Sequence, residues 1–326
     1  MSVEIKTATA EPVRNTFAHL ERRFGDKQAS RYQEATYDIQ PEGNEHYKPY
    51  WDKDHELVDA RRTAIVMQDW YDFKDPRQFY YGSYVQQRAK MQETAESNYA
   101  FYEKRGLARY LTDAQKQQVI KFLVPLRHVE HTGNLNNMFG AAYGFGTAIT
   151  QAFLYNGMDR LGIAQYLSRI GLILDGNTGA SLQTAKTAWM EAPHWQGVRA
   201  LCENSLLVKD WFELFVLQNI VLDSLINDLY YQQFDQQLAD NGGQDVGMLT
   251  EFMRDWYKDS ARWSDAVLKT AAKESEENKA LLQQWAEQWQ GRVVEALTPL
   301  AAALLDDSAL ANAQSALQKR LQKAGL

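Results

Sequence analysis

From Thr132 to Met158 the chain carries no Asp, Glu, Lys or Arg, and the centre of that stretch reads MFGAAYGFGTAITQAFLY. As a helix it is long enough to cross a bilayer. Against a membrane span stand Asn134, Asn136, Asn137 and Gln151, together with the lack of a flanking basic cluster. A helix apolar on every side belongs at the centre of a large core. A chain of 326 residues can bury roughly three quarters of its unfolded surface, so such a core is within reach. The segment therefore predicts a central helix in a large all-α protein, starting at Pro125 and stopping at Asn156-Gly157, with no membrane span. Gly140 and Gly144, four apart on one face, mark where a neighbouring helix comes close.

The remaining pattern beyond Asp54 is helical. Tyr84 to Gly106 is amphipathic and ends on a glycine stop. Thr112-Asp113-Ala114-Gln115 has the spacing of a capping box, in which hydroxyl and amide side chains satisfy each other's backbone donors. Met158 to Leu174 follows, broken by Asp175-Gly176-Asn177-Thr178-Gly179. Lys209 to Asp240 contains the apolar run LFVLQNIVL and stops at Asn241-Gly242-Gly243. After Asp245 to Lys273, Ser275 offers an N-cap with Glu276 and Glu277 in the first turn. Leu282, Trp285, Trp289, Val293 and Ala296 then step by three and four, as do Leu310, Ala313, Leu317 and Leu321.

Residues 1–54 read differently and predict an extended N-terminal arm ahead of a single helical domain, 55–326. Pro12, Pro41 and Pro49 interrupt them, yet Tyr32, Tyr37, Tyr47, Tyr50 and Trp51 are more aromatic than a disordered tail. Rings without periodicity fit an arm docked on another surface, its own domain's or a partner's. The expectation carried forward is the partner's, which would bury Tyr37, Tyr47, Tyr50 and Trp51.

Composition excludes several classes. Lysine and arginine number 35 against 42 acids, a net charge of −7, so there is no basic footprint for nucleic acid. The lone Cys202 rules out an internal disulfide and a cysteine metal cluster, and fits a small buried residue in a reducing compartment. No apolar h-region precedes Glu11, which with the lone thiol points to the cytoplasm. Glycine-rich phosphate loops and a GxSxG elbow are missing from the sequence.

Long apolar helices raise the carboxylate-bridged di-iron proteins, whose site takes a Glu from each of two helices and Glu-x-x-His from two others. Six histidines are present: His19, His46, His55, His128, His131 and His194. The sole Glu-x-x-His, Glu191 to His194, contains Pro193, which forbids an ordinary helical turn there and predicts a helix start instead. Asp52 and His55 have ligand spacing but read as a charged cap. His128 and His131 flank Glu130 one turn apart and read as a surface or interface pair. Asp159 and Arg169 on one inner helix, and Asp210, Glu213, Asp223 and Asp228 on another, have no accompanying histidine. The residues alone predict no catalytic, cofactor-binding or metal-ligating site in this chain.

Asp75-Pro76-Arg77-Gln78-Phe79-Tyr80-Tyr81, Tyr84-Val85-Gln86-Gln87, Pro193-His194-Trp195-Gln196-Gly197, Lys209-Asp210-Trp211, Ala261-Arg262-Trp263-Ser264-Asp265-Ala266 and the pair Trp285 and Trp289 resemble, in order and spacing, the β subunit of the hydroxylase component of bacterial multicomponent monooxygenases. The arm, Arg31 to Pro41 and His46 to Trp51, is more similar to the phenol hydroxylase branch than to the toluene branch. The resemblance implies a ferritin-like (ribonucleotide reductase-like) long-helix bundle. It implies a non-catalytic, structural β subunit of a phenol 2-monooxygenase, without cofactor of its own. The partners implied are α and γ hydroxylase subunits in an (αβγ)2 complex. The α subunit there holds the di-iron centre and hydroxylates phenol and related aromatics. A small regulatory protein and a reductase carrying FAD and an Fe–S cluster, fed by NAD(P)H, dock on that complex.

By the same resemblance, Ser168-Arg169-Ile170-Gly171-Leu172 and Asp255-Trp256-Tyr257-Lys258-Asp259 stand where an iron-bearing relative would have its Glu-x-x-His motifs. Arg169 would then repel iron and want a buried carboxylate. The alternative is a solvated arginine at a helix end. Two other functional classes stay open on the residues: a stand-alone metal-binding ferritin-like oxidase, and a helical interaction protein outside oxygenases.

Overall fold

A computed structural model describes residues 18–40, 48–306 and 308–326. Among them there is no strand, and no helix is long and apolar enough to cross a membrane. Two short helices, α1 (Ala18–Phe24) and α2 (Arg31–Glu34), precede α3 (Tyr81–Arg105). Helix α4 spans 113–123, α-helical over Asp113–Gln118 and wider, π-type, over Val119–Leu123. Then come α5 (Leu126–Tyr143), α6 (Thr147–Asp175), α7 (Ala180–Glu191) and α8 (Pro193–Ser205). Helix α9 runs unbroken over 211–240, with π turns at Val216–Leu222 and Leu229–Phe234. Helices α10 (Val246–Glu274), α11 (Glu276–Leu304) and α12 (Ala309–Ala324) complete the bundle.

The expected stop signals do their work. Gly106 ends α3 at φ +60°, a backbone region that favours glycine, and Gly176 ends α6 at φ +67°. Thr112 and Gln115 form the reciprocal capping box, and the Ser275 side chain accepts from the Asn278 amide to cap α11. Pro193 is the first residue of α8, as its position in Glu191–His194 predicts. The stripes on α11 and α12 are buried along their length.

The uncharged segment folds differently from the expectation. It is not one helix ending at Asn156-Gly157. The chain turns at Gly144-Phe145-Gly146, Gly146 at φ +88°, and α5 and α6 pack as an antiparallel hairpin. A Cβ on Gly144 would meet the Gly140 carbonyl oxygen at 2.5 Å, so the helix cannot carry a larger residue through that turn. Asn156-Gly157 lies in mid-helix because its neighbours compensate. The Asn156 amide donates to Asn137 Oδ1 at 2.9 Å, and Asn134 donates to the Gly157 carbonyl at 2.8 Å. Gly140 faces the Phe153 ring, where a Cβ would stand 2.7 Å from it, so the close approach expected at Gly140 is made within the hairpin.

The N-terminal region also departs from expectation. Tyr32 and Tyr37 are buried with Leu20 against Tyr71 and Ala148 of the same chain, and Arg23 bridges Asp38 and Asp69. Tyr37 stacks on Tyr71 at 5.6 Å, so it is not available to a partner. The physical reason is local: α1 and α2 give these rings a small amphipathic surface that pairs with the 3-10 turn Trp70–Asp72. Tyr50 and Trp51 remain 88% and 44% exposed. Pro12, Pro41, His46 and Tyr47 lie outside the described residues.

Glycines separate the two effects of a methyl group in this hairpin. Gly140→Ala should destabilise by about 1–3 kcal/mol, because overpacking against Phe153 outweighs the gain in helix propensity. Gly162→Ala on α6, where a Cβ meets nothing within 4 Å, should stabilise by up to about 1 kcal/mol. Urea unfolding of the two variants followed by circular dichroism checks the opposite signs.

Candidate functional site

A buried polar cluster lies where α5, α6, α9 and α10 cross. Arg160, 2% exposed, projects from α6 and donates through Nη1 to Glu130 of α5 at 3.0 Å and through Nη2 to Asp223 of α9. Its guanidinium lies 4.4 Å from the ring centroid of Trp256 of α10. Gly133 of α5 makes room, since a Cβ there would meet Arg160 Nε at 3.3 Å. Burial pushes the Glu130 carboxyl above its ordinary value, the facing guanidinium draws it down, and Asp223 pushes it up again. Asp223 and Glu130 together hold Arg160 charged well above the usual arginine range, against the opposing cost of burial.

Around this trio hydrogen bonds run both within and between helices. Gln218 donates to Asp223 at 2.9 Å and accepts from Asn136 at 3.0 Å, while Asn136 also meets the Ser205 hydroxyl. Asn156 bridges Asn137 and Asn219, and its oxygen accepts from Ser260 at 3.0 Å. The π turn at Val216–Leu222 makes this possible: one extra residue per turn swings Gln218 and Asn219 inward beside Asp223. The carbonyls of Asn219 and Ile220 on that turn accept from Arg320 of α12, which also donates to Ser224, Ser264 and Asp265. A second buried carboxylate, Asp159, accepts from Tyr84, from Arg88 twice, and from the Trp256 indole at 2.9 Å.

The sequence-marked residues distribute unevenly. Arg169 is a correction: it is not the buried cation of the bundle. It sits partly exposed on α6, paired with Glu96 at 2.6 Å and Glu103 at 3.3 Å over the Tyr99 ring. Asp255 is exposed and pairs with Lys258, while Asp259 meets Arg88 at 3.0 Å. Arg160 takes the interior place instead, nine positions earlier on the same helix. A signal for it existed, since Asp159-Arg160 is the first charge after the uncharged stretch and buried charges must be paired.

Of the histidines, His55 pairs with Asp52 at 2.9 Å, and Asp52 also holds Arg62 at 2.7 Å, an ion-pair cap. His128 stacks on Trp189 at 5.3 Å, whereas His131 is exposed. His194 stacks on Phe122 at 4.8 Å with Glu191 exposed beside it. Among the described residues, no group of three or more His, Cys, Asp or Glu side chains is placed to hold a metal ion. Cys202 is buried and its thiol is pushed up to about 12 by that burial, so it is not a nucleophile at neutral pH.

Arg160→Met should cost about 3–5 kcal/mol in urea unfolding, because it strands two buried carboxylates. The triple variant R160M/E130Q/D223N should recover most of that loss. The His128 ring gives a separate pH signature. Burial, with Arg127, His131 and Lys186 nearby, pulls it from the ordinary 6.5 down to about 4. The unfolded chain therefore binds a proton that the folded chain refuses, and stability falls as pH drops through that window. His128→Asn should flatten the fall in a pH series of thermal midpoints.

Comparison with known proteins closes on one family. The family model described as Methane/Phenol/Alkene Hydroxylase matches residues 51–275. The oxygenase component MhpL of phenol 2-monooxygenase from Acinetobacter pittii (strain PHEA-2) is 55% identical over 326 residues, covering 100% of this chain and 98% of that protein. The hydroxylase component subunit beta of the toluene-4-monooxygenase system of Ectopseudomonas mendocina is 24% identical over 70% of each chain. Among solved structures, the xenon-pressurized phenol hydroxylase from Pseudomonas sp. OX1 superposes with a TM-score of 0.93 at 51% identity, covering 99% of this chain and 98% of that one. The all-helical bundle is thus the ferritin-like hydroxylase fold expected, and this chain belongs to the methane/phenol/alkene hydroxylase family, with phenol monooxygenase oxygenase components among its relatives.

Proposed function

We propose that this chain is the non-catalytic β subunit of the hydroxylase component of a multicomponent phenol 2-monooxygenase. It braces a larger, iron-bearing α subunit in an (αβγ)2 complex that works in the cytoplasm with a regulatory protein and an NAD(P)H-fed reductase. Identity of 55% to a phenol 2-monooxygenase oxygenase component supports the complex, and the likeness to a hydroxylase subunit beta of the toluene-4-monooxygenase system supports the place within it.

The observation that carries the non-catalytic role is the position of Arg160. A di-iron site in this fold needs carboxylates and two imidazoles converging from four helices. Here the converging carboxylates, Glu130 and Asp223, are occupied by a guanidinium, and the fourth helix offers the Trp256 ring, which cannot ligate iron. A cation already hydrogen-bonded to both carboxylates repels a second one. The residues present do not fit a di-iron centre. What they do fit is a rigid support: the ion cluster ties four helices together.

Iron analysis of the separately purified chain tests the reading. No stoichiometric iron is expected after exposure to ferrous ion, and addition of the larger subunit should restore an iron-containing complex. About two irons per chain, the loading of a dinuclear ligand set, would overturn it.

A further inference from the structure

We propose that Asn241-Gly242, at the end of α9, is a site of spontaneous covalent modification. The asparagine loses ammonia to become aspartate or isoaspartate, and the change releases the cap that joins α9 to α4. This chemistry belongs to the chain itself and does not depend on the subunit reading above. In the first step the Gly242 backbone nitrogen attacks the side-chain carbonyl carbon of Asn241. The N–Cγ bond forms, the proton on that nitrogen passes to solvent, and the side-chain nitrogen takes up a proton and leaves as ammonia. Water then adds to either carbonyl of the five-membered imide and opens it to an aspartyl or an isoaspartyl residue. Water is the only co-reactant.

The sequence holds three pairs of Asn or Asp followed by Gly, and the fold treats each differently. Asn156-Gly157 lies inside the regular turns of α6, with Asn156 0% exposed. Its amide donates to Asn137 and Asn219 and its oxygen accepts from Ser260, so the carbonyl carbon cannot swing onto the next nitrogen. In Asp175-Gly176 the side chain is a carboxylate, ionised at neutral pH and a poor target for a nucleophile. Both its oxygens also accept backbone amides, from Thr178 at 3.0 Å and Ser181 at 2.8 Å. Asn241-Gly242 has neither protection. Both residues are exposed, and the Asn241 backbone has left the helical region at ψ +16°. Gly242 follows at φ +84°, and a Cβ there would meet nothing within 4 Å, so the attacking nitrogen stands in open space. Two bonds hold the pair: the Gly242 amide donates to the Ala239 carbonyl at 3.1 Å, and the Asn241 side chain donates to the Gln237 carbonyl at 2.7 Å. Both lie at the last turn of a helix, where fraying opens such bonds at little cost.

The consequence follows from what Asn241 holds. Its side-chain amide satisfies the Gln237 carbonyl, one of the orphan acceptors at a helix end. A carboxylate in its place lacks the donor and brings a negative charge to the helix C-terminus, where the macrodipole opposes it. The main-chain carbonyl of Asn241 accepts from Gln115 Nε2 at 2.9 Å, and Gln115 is half of the capping box that starts α4. In the isoaspartyl form that carbonyl becomes the free carboxylate and the main chain gains a methylene. The next residue, Gly243, is buried and its amide donates to the Leu238 carbonyl at 2.7 Å, which leaves little slack for the added length.

The test is peptide mapping of the full chain aged in mildly alkaline heavy-oxygen water, beside the same chain unfolded in urea. In the folded chain Asn241 should convert at least about tenfold faster than Asn156, which reacts only after the bundle opens. In the unfolded chain the two should convert at similar rates, since each is followed by glycine. One heavy oxygen should enter at Asn241, shared between aspartate and isoaspartate. The aged chain should melt earlier and lose hydrogen-exchange protection over residues 112–118 and 237–243. Asn241→Gln, whose longer side chain would have to close a six-membered ring, should keep its mass, its melting and its protection through the same ageing. Asn241 left intact in the folded chain, while the unfolded chain converts, overturns the proposal. So does conversion of Asn156 at the same rate in the folded chain. A fully converted chain with unchanged melting and protection overturns the release of the cap.

Discussion

A charged guanidinium fully enclosed in a helical bundle is the constraint around which this structure is arranged. Removing an isolated charge from water costs several kcal/mol even after relaxation, and only close, well-oriented counter-charges offset it. Arg160 meets that demand with Glu130 and Asp223, each on a different helix, and with the face of Trp256 on a fourth. Because these partners come from elements distant in sequence, the cluster sets the relative heights and rotations of α5, α6, α9 and α10 together. Gly133 belongs to this arrangement, since any side chain there would occupy the space the arginine uses.

The consequences spread outward through backbone geometry. To present Asp223 beside Gln218 and Asn219, α9 adopts a π turn, whose carbonyls at Asn219 and Ile220 face the C-terminal helix. Arg320 supplies donors to two of them from the C-terminal helix, and Ser224, Ser264 and Asp265 orient it in turn. Burying so many polar groups forms a network whose hydrogen bonds depend on one packing of the helices. The other side of the same hairpin has the opposite character: uncharged, apolar and uncovered. One helix pair thus combines a polar inner face that locks the bundle with a more apolar outer face.

Much of this was legible in the sequence, and the exceptions are instructive. The caps at Thr112 and Ser275, the stops at Gly106 and Gly176, and the stripe from Leu282 to Ala296 follow from local rules, and the structure agrees. The position of Arg160 was legible only in part: Asp159-Arg160 is the first charge after the uncharged stretch, but the spacing of Arg160 and Arg169 on one helix does not say which faces inward. The misplaced stop at Asn156-Gly157 has a similar cause. Asn-Gly usually ends a helix, but here Asn137, Asn219 and Ser260 satisfy the Asn156 side chain, and the glycine admits Met138 of the opposing helix. The arm shows the reverse error. Tyr37 looked available to a partner because its pairing surface, Tyr71, lies far along the chain.

By itself the sequence determined the helical class, most helix boundaries, the lack of a histidine-rich ligand set and, through residue patterns spread along the chain, the family. These depend on local hydrogen bonding, on periodicity and on residue identity, all written in order along the chain. Tertiary structure decided which charge was buried, where the uncharged segment folded back on itself, and which apolar side chains were left outside. Those outcomes depend on the free energy of burying a group against partners far away in sequence, 97 positions between Asp159 and Trp256 and 104 between Asn156 and Ser260. Burial of that kind is a property of the packed bundle and not of any segment within it.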